Sequence, residues 1–530
     1  MELKKIAAIA TAGVLVLSGC SGGGGSGAAA PYATDGVFTY GLDADPGTLS
    51  PFMTTSDAAR EITPFLYDNL VYFDGETGEP KSWLAESWEV TPTSVKYTLK
   101  DGVTCQDGSK LTPEIVANNF NWITDPQNKS AINGVLVPPD ATAEFDDQAG
   151  TVTVSVKEPT SFLLTQTGAL EILCQSALDD PDSVAKASNG TGMYELTEAV
   201  PNDHYTLTRR DGYTWAPEGG NSSTTEGAPK EVVVRVVENV STSANLLLSG
   251  ELNAATVKGP DEDRVAEKTT AERTLSLIIG QFYFSQLKDK PTADQRVRVA
   301  LTKALDLDAL TKVITAGKGY RAERLATMRP NPCEYDATKD AVPAHDVDAA
   351  KALLDDAGWT VGSNGVREKD GKSLDLTLLY SEDSDAKSAA MELVKQQLKE
   401  IGVNIKLDGG DSNYLLDHLY TKENLGSFDL ASSTVNAWLP SIMIPWNTGD
   451  LPPGGRNAGG IDNKVYNAKI AEAGKIAGEA SCDTWQAAEQ ALYEKADTIP
   501  YAAQDQVTYF NGAELALKNH IGGISVRVRE

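Results

Sequence analysis

Val95, Tyr97 and Leu99 alternate with Lys96, Thr98 and Lys100 ahead of an Asp101-Gly102 turn, and a period of two predicts a strand with one buried face. The same alternation recurs at Val152, Val154 and Val156 and ends before Pro159. A strand from Val37 breaks at Asp45-Pro46-Gly47, where Pro and Gly suit a turn. Other segments carry the helical period. In Leu111 to Trp122 the apolar positions include Ile115, Val116 and Phe120, and Pro113 stands early, where its missing N–H costs nothing. Glu231 to Val237 is almost continuously apolar, which fits a strand buried on both faces. A short helix from Ala244 to Leu248 stops at Gly250, and a strand follows from Leu252 to Val257.

Helical content rises after about residue 275. Val299 to Leu310 reads as one helix, with Val297, Ala300, Leu301 and Ala304 on one face. Asp346 caps a helix whose Ala350, Leu353, Leu354 and Ala357 face inward. Leu374 to Tyr380, Asp385 to Ile401 and Val403 to Leu407 form a strand, helix and strand, and a crossover helix makes such strands parallel neighbours. Alternating strands and helices predict α/β lobes with mixed sheets. Between Pro64 and Gly108 stand Tyr67, Tyr72, Phe73, Trp83, Trp88 and Tyr97, an aromatic surface that distant parts of the chain must bury.

At 530 residues the chain exceeds what one hydrophobic core usually serves, and 41% hydrophobic content says that its lobes fold. A formal net charge of -29 repels nucleic acid and anionic lipid head groups, so neither is an expected partner. Lys4 and Lys5 precede an apolar run from Ile6 to Leu17, shorter than a bilayer span and of the length of a signal-peptide core. Leu17-Ser18-Gly19-Cys20 resembles a bacterial lipobox, which implies cleavage after residue 19 and a lipid on Cys20. Residues 1–20 are thus read as a lipoprotein leader, and the Gly/Ser tract at 21–30 as a flexible tether. Four cysteines remain, and an even number outside the cytoplasm favours disulfides. They allow three pairings. Cys105 with Cys174, and Cys333 with Cys482, is the favoured one because two stand near the aromatic stretch and two far down the chain.

Signatures of catalysis are missing. There is no Gly-x-Ser-x-Gly elbow. Gly371-Lys372-Ser373 is similar to the end of a phosphate loop, but Val366 stands where its leading glycine should be, and Asp370-Gly371 reads as a hairpin turn. His204, His345, His418 and His520 stand far apart and are read as surface or hydrogen-bonded residues, with no metal site and no cofactor among the expectations.

Leu66 to Leu70, Trp83 to Val90, Asp101-Gly102-Val103 and Gln106-Asp107-Gly108 together resemble the peptide and nickel group, family 5, of bacterial ABC-transporter substrate-binding proteins. Gly190-Thr191-Gly192-Met193-Tyr194, with Met193 in place of the usual proline, and the helix opening at Asp294 are similar to further elements of the family. The resemblance implies an α/β, two-lobed periplasmic-binding-protein-like fold of the cluster C type, with an extra domain, mixed sheets and a hinge. It implies lobe I at 31–72, 190–275 and 497–530, an additional domain II at 73–189, and lobe II at 276–496. It implies a monomeric binding protein without enzymatic activity, lipid-anchored on the outer face of the cytoplasmic membrane. Such a protein captures a peptide or similar small solute by hinge closure and presents it to ABC permease subunits. An oligosaccharide or other amphipathic solute is the alternative ligand, and an extracellular hydrolase the alternative class. The segment Phe428 to Trp446 resembles the part of the family whose loop meets the ligand. Peptide-binding members place an aspartate there, but Thr434 to Trp438 contains no acid, so Trp438, Asn436 and Trp446 are the candidate ligand-binding residues.

Overall fold

The computed structural model describes residues 30–185 and 188–530. The leader at 1–20 with Cys20, and the tether up to residue 29, lie outside the described residues. One ten-stranded mixed sheet runs through both lobes. From one edge its strands are Asn404–Gly410, Asp375–Ser381, Leu430–Ser432, Thr270–Phe284, Thr498–Phe510, Ala254–Val257, Val37–Leu42, Glu231–Val236, His204–Arg209 and Tyr194–Val200. The two long members carry the chain from lobe to lobe. They pair antiparallel from Thr270 opposite Phe510 to Tyr283 opposite Thr498, and the register slips between Ile278 and Gln281. Bulges of this kind bend and twist a strand pair.

Each lobe hangs on one end of that pair. In the first lobe Val507 to Phe510 pair with Ala254–Val257, which lies parallel to Val37–Leu42. In the second, Phe282 to Phe284 pair with Leu430–Ser432, which lies parallel to Asp375–Ser381. The strand, helix and strand unit forms as expected. Helix Asp385–Glu400 connects Asp375–Ser381 to Asn404–Gly410, and those strands pair in parallel. The cores separate accordingly. Phe38, Tyr40, Val232 and Phe510 belong to one apolar cluster, while Phe282, Leu301, Leu378, Val394, Ile499 and Tyr501 belong to another.

A four-stranded antiparallel sheet (Ala85–Thr91, Ser94–Leu99, Thr151–Ser155 and Thr142–Asp146) builds the additional region. Helix Pro113–Thr124 packs on it, started by the Thr112 hydroxyl, which accepts the Ile115 N–H. Its core is continuous with that of the first lobe, and the aromatic stretch lies at the junction. There Trp83 Nε1 donates to the Tyr213 hydroxyl, which donates to the buried Asp68 carboxylate, and Trp215 Nε1 donates to the other Asp68 oxygen at 2.8 Å. Gly190 and Gly192 are required by close approach, since a Cβ would lie 2.4 Å from the Tyr67 ring at the first and 2.4 Å from the Leu66 carbonyl carbon at the second. Disulfides join Cys105 to Cys174 and Cys333 to Cys482, with Cα atoms 6.1 and 5.3 Å apart.

Three expectations are corrected. The helix read over Val299 to Leu310 is two helices, Gln295–Ala304 and Leu307–Ile314. Asp306 breaks them because its side chain accepts the Ala309 N–H and caps the second. Glu231–Val236 buries Val232 and Val234 on one face only. The helix Val240–Ser249 covers the strand Ala254–Val257 instead, where Ala244, Leu247 and Ala255 form a small separate cluster. His520 is half-buried rather than at the surface, and it makes no hydrogen bond through Nε2. Its ring lies edge-on between Tyr72 and Trp83, at centroid distances of 5.6 and 6.1 Å, and Nε2 is buried without a partner.

Candidate functional site

Strands Val37–Leu42, Glu231–Val236 and Ala254–Val257 of the first lobe are parallel, as are Asp375–Ser381, Asn404–Gly410 and Leu430–Ser432 of the second. Ligands of open α/β sheets bind outside the carboxyl ends of such strands, where the chain turns away and leaves a crevice. The ends of Ala254–Val257, Asp375–Ser381 and Leu430–Ser432 open here onto one cleft. Its larger chamber, of about 620 Å³, is floored by the crossing strands at Leu277 to Ile279 and Gln504 to Gln506. Segments following Val257 and Ser381 form its walls, and Thr434 and Asn436 reach it from the loop after Ser432. Lys387 is buried at its side, its ammonium 2.7 Å from the Ser381 hydroxyl and 3.3 Å from Asp383. Lys318 bridges the lobes through Glu262 and Asp263, at 3.0 Å each.

A second chamber of about 210 Å³ lies where the same loop meets the first lobe and the additional region. Its charged lining is Arg60 and Glu171. The short helix Asp57–Arg60 presents the guanidinium over the Trp438 ring, 5.6 Å from its centroid, which is a contact between lobes. Glu61, next in sequence, accepts from Tyr40 at 2.7 Å and pairs with Arg273, so the end of this helix is tied to the crossing strand. Glu171 is positioned by its neighbours. The Ile172 N–H donates to the Asp68 carbonyl at 2.9 Å, the Leu173 N–H to Asn119 at 2.8 Å, and Cys174 is held by its disulfide.

Burial pushes the Glu171 carboxyl up to about 7, against the Thr63 hydroxyl and the Arg60 cation, which draw it down, and the nearby Asp68 charge adds to the rise. Asp68 is itself pushed up to about 6 by burial, against the hydrogen bonds from Trp215 and Tyr213. Among the described residues neither Arg60 nor Glu171 makes an ion pair within 4.0 Å. The Thr63 hydroxyl, on a residue only 1% exposed that lines the same chamber, stands beside the Glu171 carboxyl, without a hydrogen bond of good geometry. Ile132, Leu136 and Leu170 supply an apolar wall.

The structure brings two of the three sequence-proposed ligand residues to this cleft. Trp438 lines the smaller chamber, and Asn436 lines the larger one while its side chain accepts the Ile278 N–H at 2.9 Å, fastening the loop to a crossing strand. Trp446 lines neither. Its indole donates to the Tyr420 hydroxyl at 2.9 Å and its ring lies 5.2 Å from the Arg456 guanidinium, within the second lobe. Sequence reasoning missed Arg60, Thr63 and Glu171. Only Glu171 left a signal, a lone charge inside the apolar run Leu170 to Cys174. No group of three metal-ligating side chains occurs among the described residues. No helix among them is long and apolar enough to cross a membrane.

The family described as bacterial extracellular solute-binding proteins, family 5 Middle, matches residues 79–451. The oligopeptide-binding protein AppA of Bacillus subtilis is 24% identical over 413 residues, covering 74% of this chain and 73% of the relative. The glutathione-binding protein GsiB of Pectobacterium atrosepticum is 25% identical over 465 residues, covering 85% and 83%. Among solved structures, a substrate binding protein from Microbacterium hydrocarbonoxydans complexed with 4-hydroxybenzoate hydrazide superposes with a TM-score of 0.71 at 25% identity, covering 93% of this chain and 100% of that one.

Proposed function

Because this chain belongs to the bacterial extracellular solute-binding proteins of family 5, we propose that it captures a peptide or similarly small solute between its lobes and hands it unchanged to an ABC permease. The observation that carries this reading is the cleft itself, which is lined from both lobes at the carboxyl ends of their parallel strands and floored by the crossing pair. A ligand touching both lobes stabilises the closed arrangement because it makes contacts that are absent when they part. The hinge of this reading is the irregular register around Ile278 to Gln281. The lobe division is proposed as 31–72, 190–275 and 497–530 against 276–496, with 73–189 as the added domain, and the anchor as a lipid on Cys20.

The relatives that bind oligopeptide and glutathione support a peptide-like ligand. The test is mass spectrometry of whatever the purified protein releases on denaturation, followed by a melting-temperature screen. Peptides should raise the melting temperature, with about 2.7 kcal/mol gained at a hundredfold excess over the dissociation constant, and nickel salts should not. Recovery of a cleaved ligand after incubation would place the chain among hydrolases instead.

A further inference from the structure

Resting on the peptide reading above, we propose that the Arg60–Glu171 chamber takes a compact zwitterion, a free amino acid or a dipeptide. Its ammonium would sit on Glu171 and Thr63, and its carboxylate on Arg60. The chamber holds one cation and one carboxyl group that an incoming ammonium would keep ionised, and among the described residues neither has a counter-ion within 4.0 Å. Both side chains are half-buried, and a neutral ligand would take the two charges further out of water without giving either a partner, which is the costly outcome. A simple anion would meet Glu171, and a simple cation would meet Arg60. A molecule bearing both charges satisfies the two at once.

The local geometry assigns the ends. Arg60 lies over Trp438, so its face is occupied and its N–H edge remains for a carboxylate, which a planar guanidinium binds in a bidentate fashion. Thr63 offers a buried hydroxyl beside Glu171 that can accept from the same ammonium. The loop from Thr434 to Trp438 has no charged side chain, so the acid facing an ammonium here comes from the opposite wall. Volume limits the length, since about 210 Å³ falls below the several hundred of common ligand pockets, and Ile132, Leu136 and Leu170 leave an apolar surface for one side chain. The competing explanation is an ion pair between Arg60 and Glu171 that forms directly when the side chains rotate, and it predicts no preference for ligand termini.

The experiment compares, by melting-temperature titration, a dipeptide mixture, the same mixture N-acetylated, the same mixture C-amidated, a pentapeptide mixture and a trisaccharide mixture. With the wild-type protein, blocking either terminus should raise the half-saturating concentration about tenfold or more, the worth of one charge-assisted bond. Glu171→Gln should erase the penalty for N-acetylation and keep that for amidation. Arg60→Met should do the reverse. Equal binding of free and blocked dipeptides, or penalties that persist in the matching variant, overturns the proposal. Pentapeptides that bind whatever their termini overturn it while the peptide reading stands. Trisaccharides alone, or nothing, binding overturns both. If a variant does not fold, the comparison on the wild-type protein alone decides.

Discussion

Replacing His520 with phenylalanine removes one titrating group from the interior and should flatten the acid limb of the stability curve. Burial, reinforced by the Arg273 cation, holds the imidazole down at about 4 against an ordinary 6.5. As pH falls below 6.5 the unfolded chain takes up a proton that the folded chain refuses until about 4. Stability present above 6.5 is therefore lost across that window. A gap of roughly 2.5 units at about 1.36 kcal/mol each amounts to about 3 kcal/mol, of which about 2 is gone by pH 5. Asp68 and Glu171 act in the opposite sense, because carboxyls held up by burial favour the folded state as they protonate. Both are present in either protein, so the difference between wild type and His520→Phe isolates the imidazole. Phenylalanine keeps an aromatic ring between Tyr72 and Trp83 and leaves no unpartnered nitrogen. The assay is urea unfolding from pH 4 to pH 8, with disulfides intact. Two curves that stay parallel over this range, with less than about 1 kcal/mol of change in their separation, would refute the argument.

Gly192→Ala should cost about 2 kcal/mol or more, seen as a lower urea midpoint, because its Cβ would lie 2.4 Å from the Leu66 carbonyl carbon and backbone must move to admit it. Reduction of both disulfides should destabilise the protein by about 4 kcal/mol for the loop closed by Cys105 and Cys174 and about 5 kcal/mol for that closed by Cys333 and Cys482, in the chain-entropy account. Peptide mapping without reduction should recover those two pairs and no crossed pair. Cys20→Ser should move the protein from the membrane fraction into the soluble one, and a variant that remains membrane-bound would remove the lipid anchor from the proposed function.

What the sequence made legible was whatever a local period controls. Asp385–Glu400 announces itself by its helical period, the apolar runs of Asp375–Ser381 and Asn404–Gly410 flank it, and the connection then dictates parallel pairing. Asp370 and Gly371 turn the hairpin between Arg367–Lys369 and Lys372–Ser373, as their residue types suggest. Failures came where a side chain answered to something that the apolar period does not carry. Asp306 divides two helices although the apolar spacing runs past it, because a cap competes locally with continuation. Val233 and Val236 are apolar yet half-buried, since the covering helix packs over another strand. His520 gave no sign of burial, because Tyr72 and Trp83 come to it from the other end of the chain.

The Arg60–Glu171 chamber shows the same limit more sharply, for reasons that concern charge. Arg60 ends a four-residue helix and reads as an exposed cation on a polar segment. Its partner in the cleft, Trp438, reads as one more aromatic in an apolar loop. Neither residue has a local reason to be where it is. The lobes juxtapose them only because two strands, Thr270–Phe284 and Thr498–Phe510, carry the chain across and back. Glu171 differs. A carboxylate between Leu170 and Ile172 is expensive unless something compensates, and nothing nearby in sequence does so. Its neighbours are pinned by Asp68, Asn119 and the Cys105–Cys174 bridge, which fixes where its backbone stands in the chamber wall. That reasoning, applied to isolated charges in buried runs, would have found half of the chamber from the sequence; the other half requires the fold.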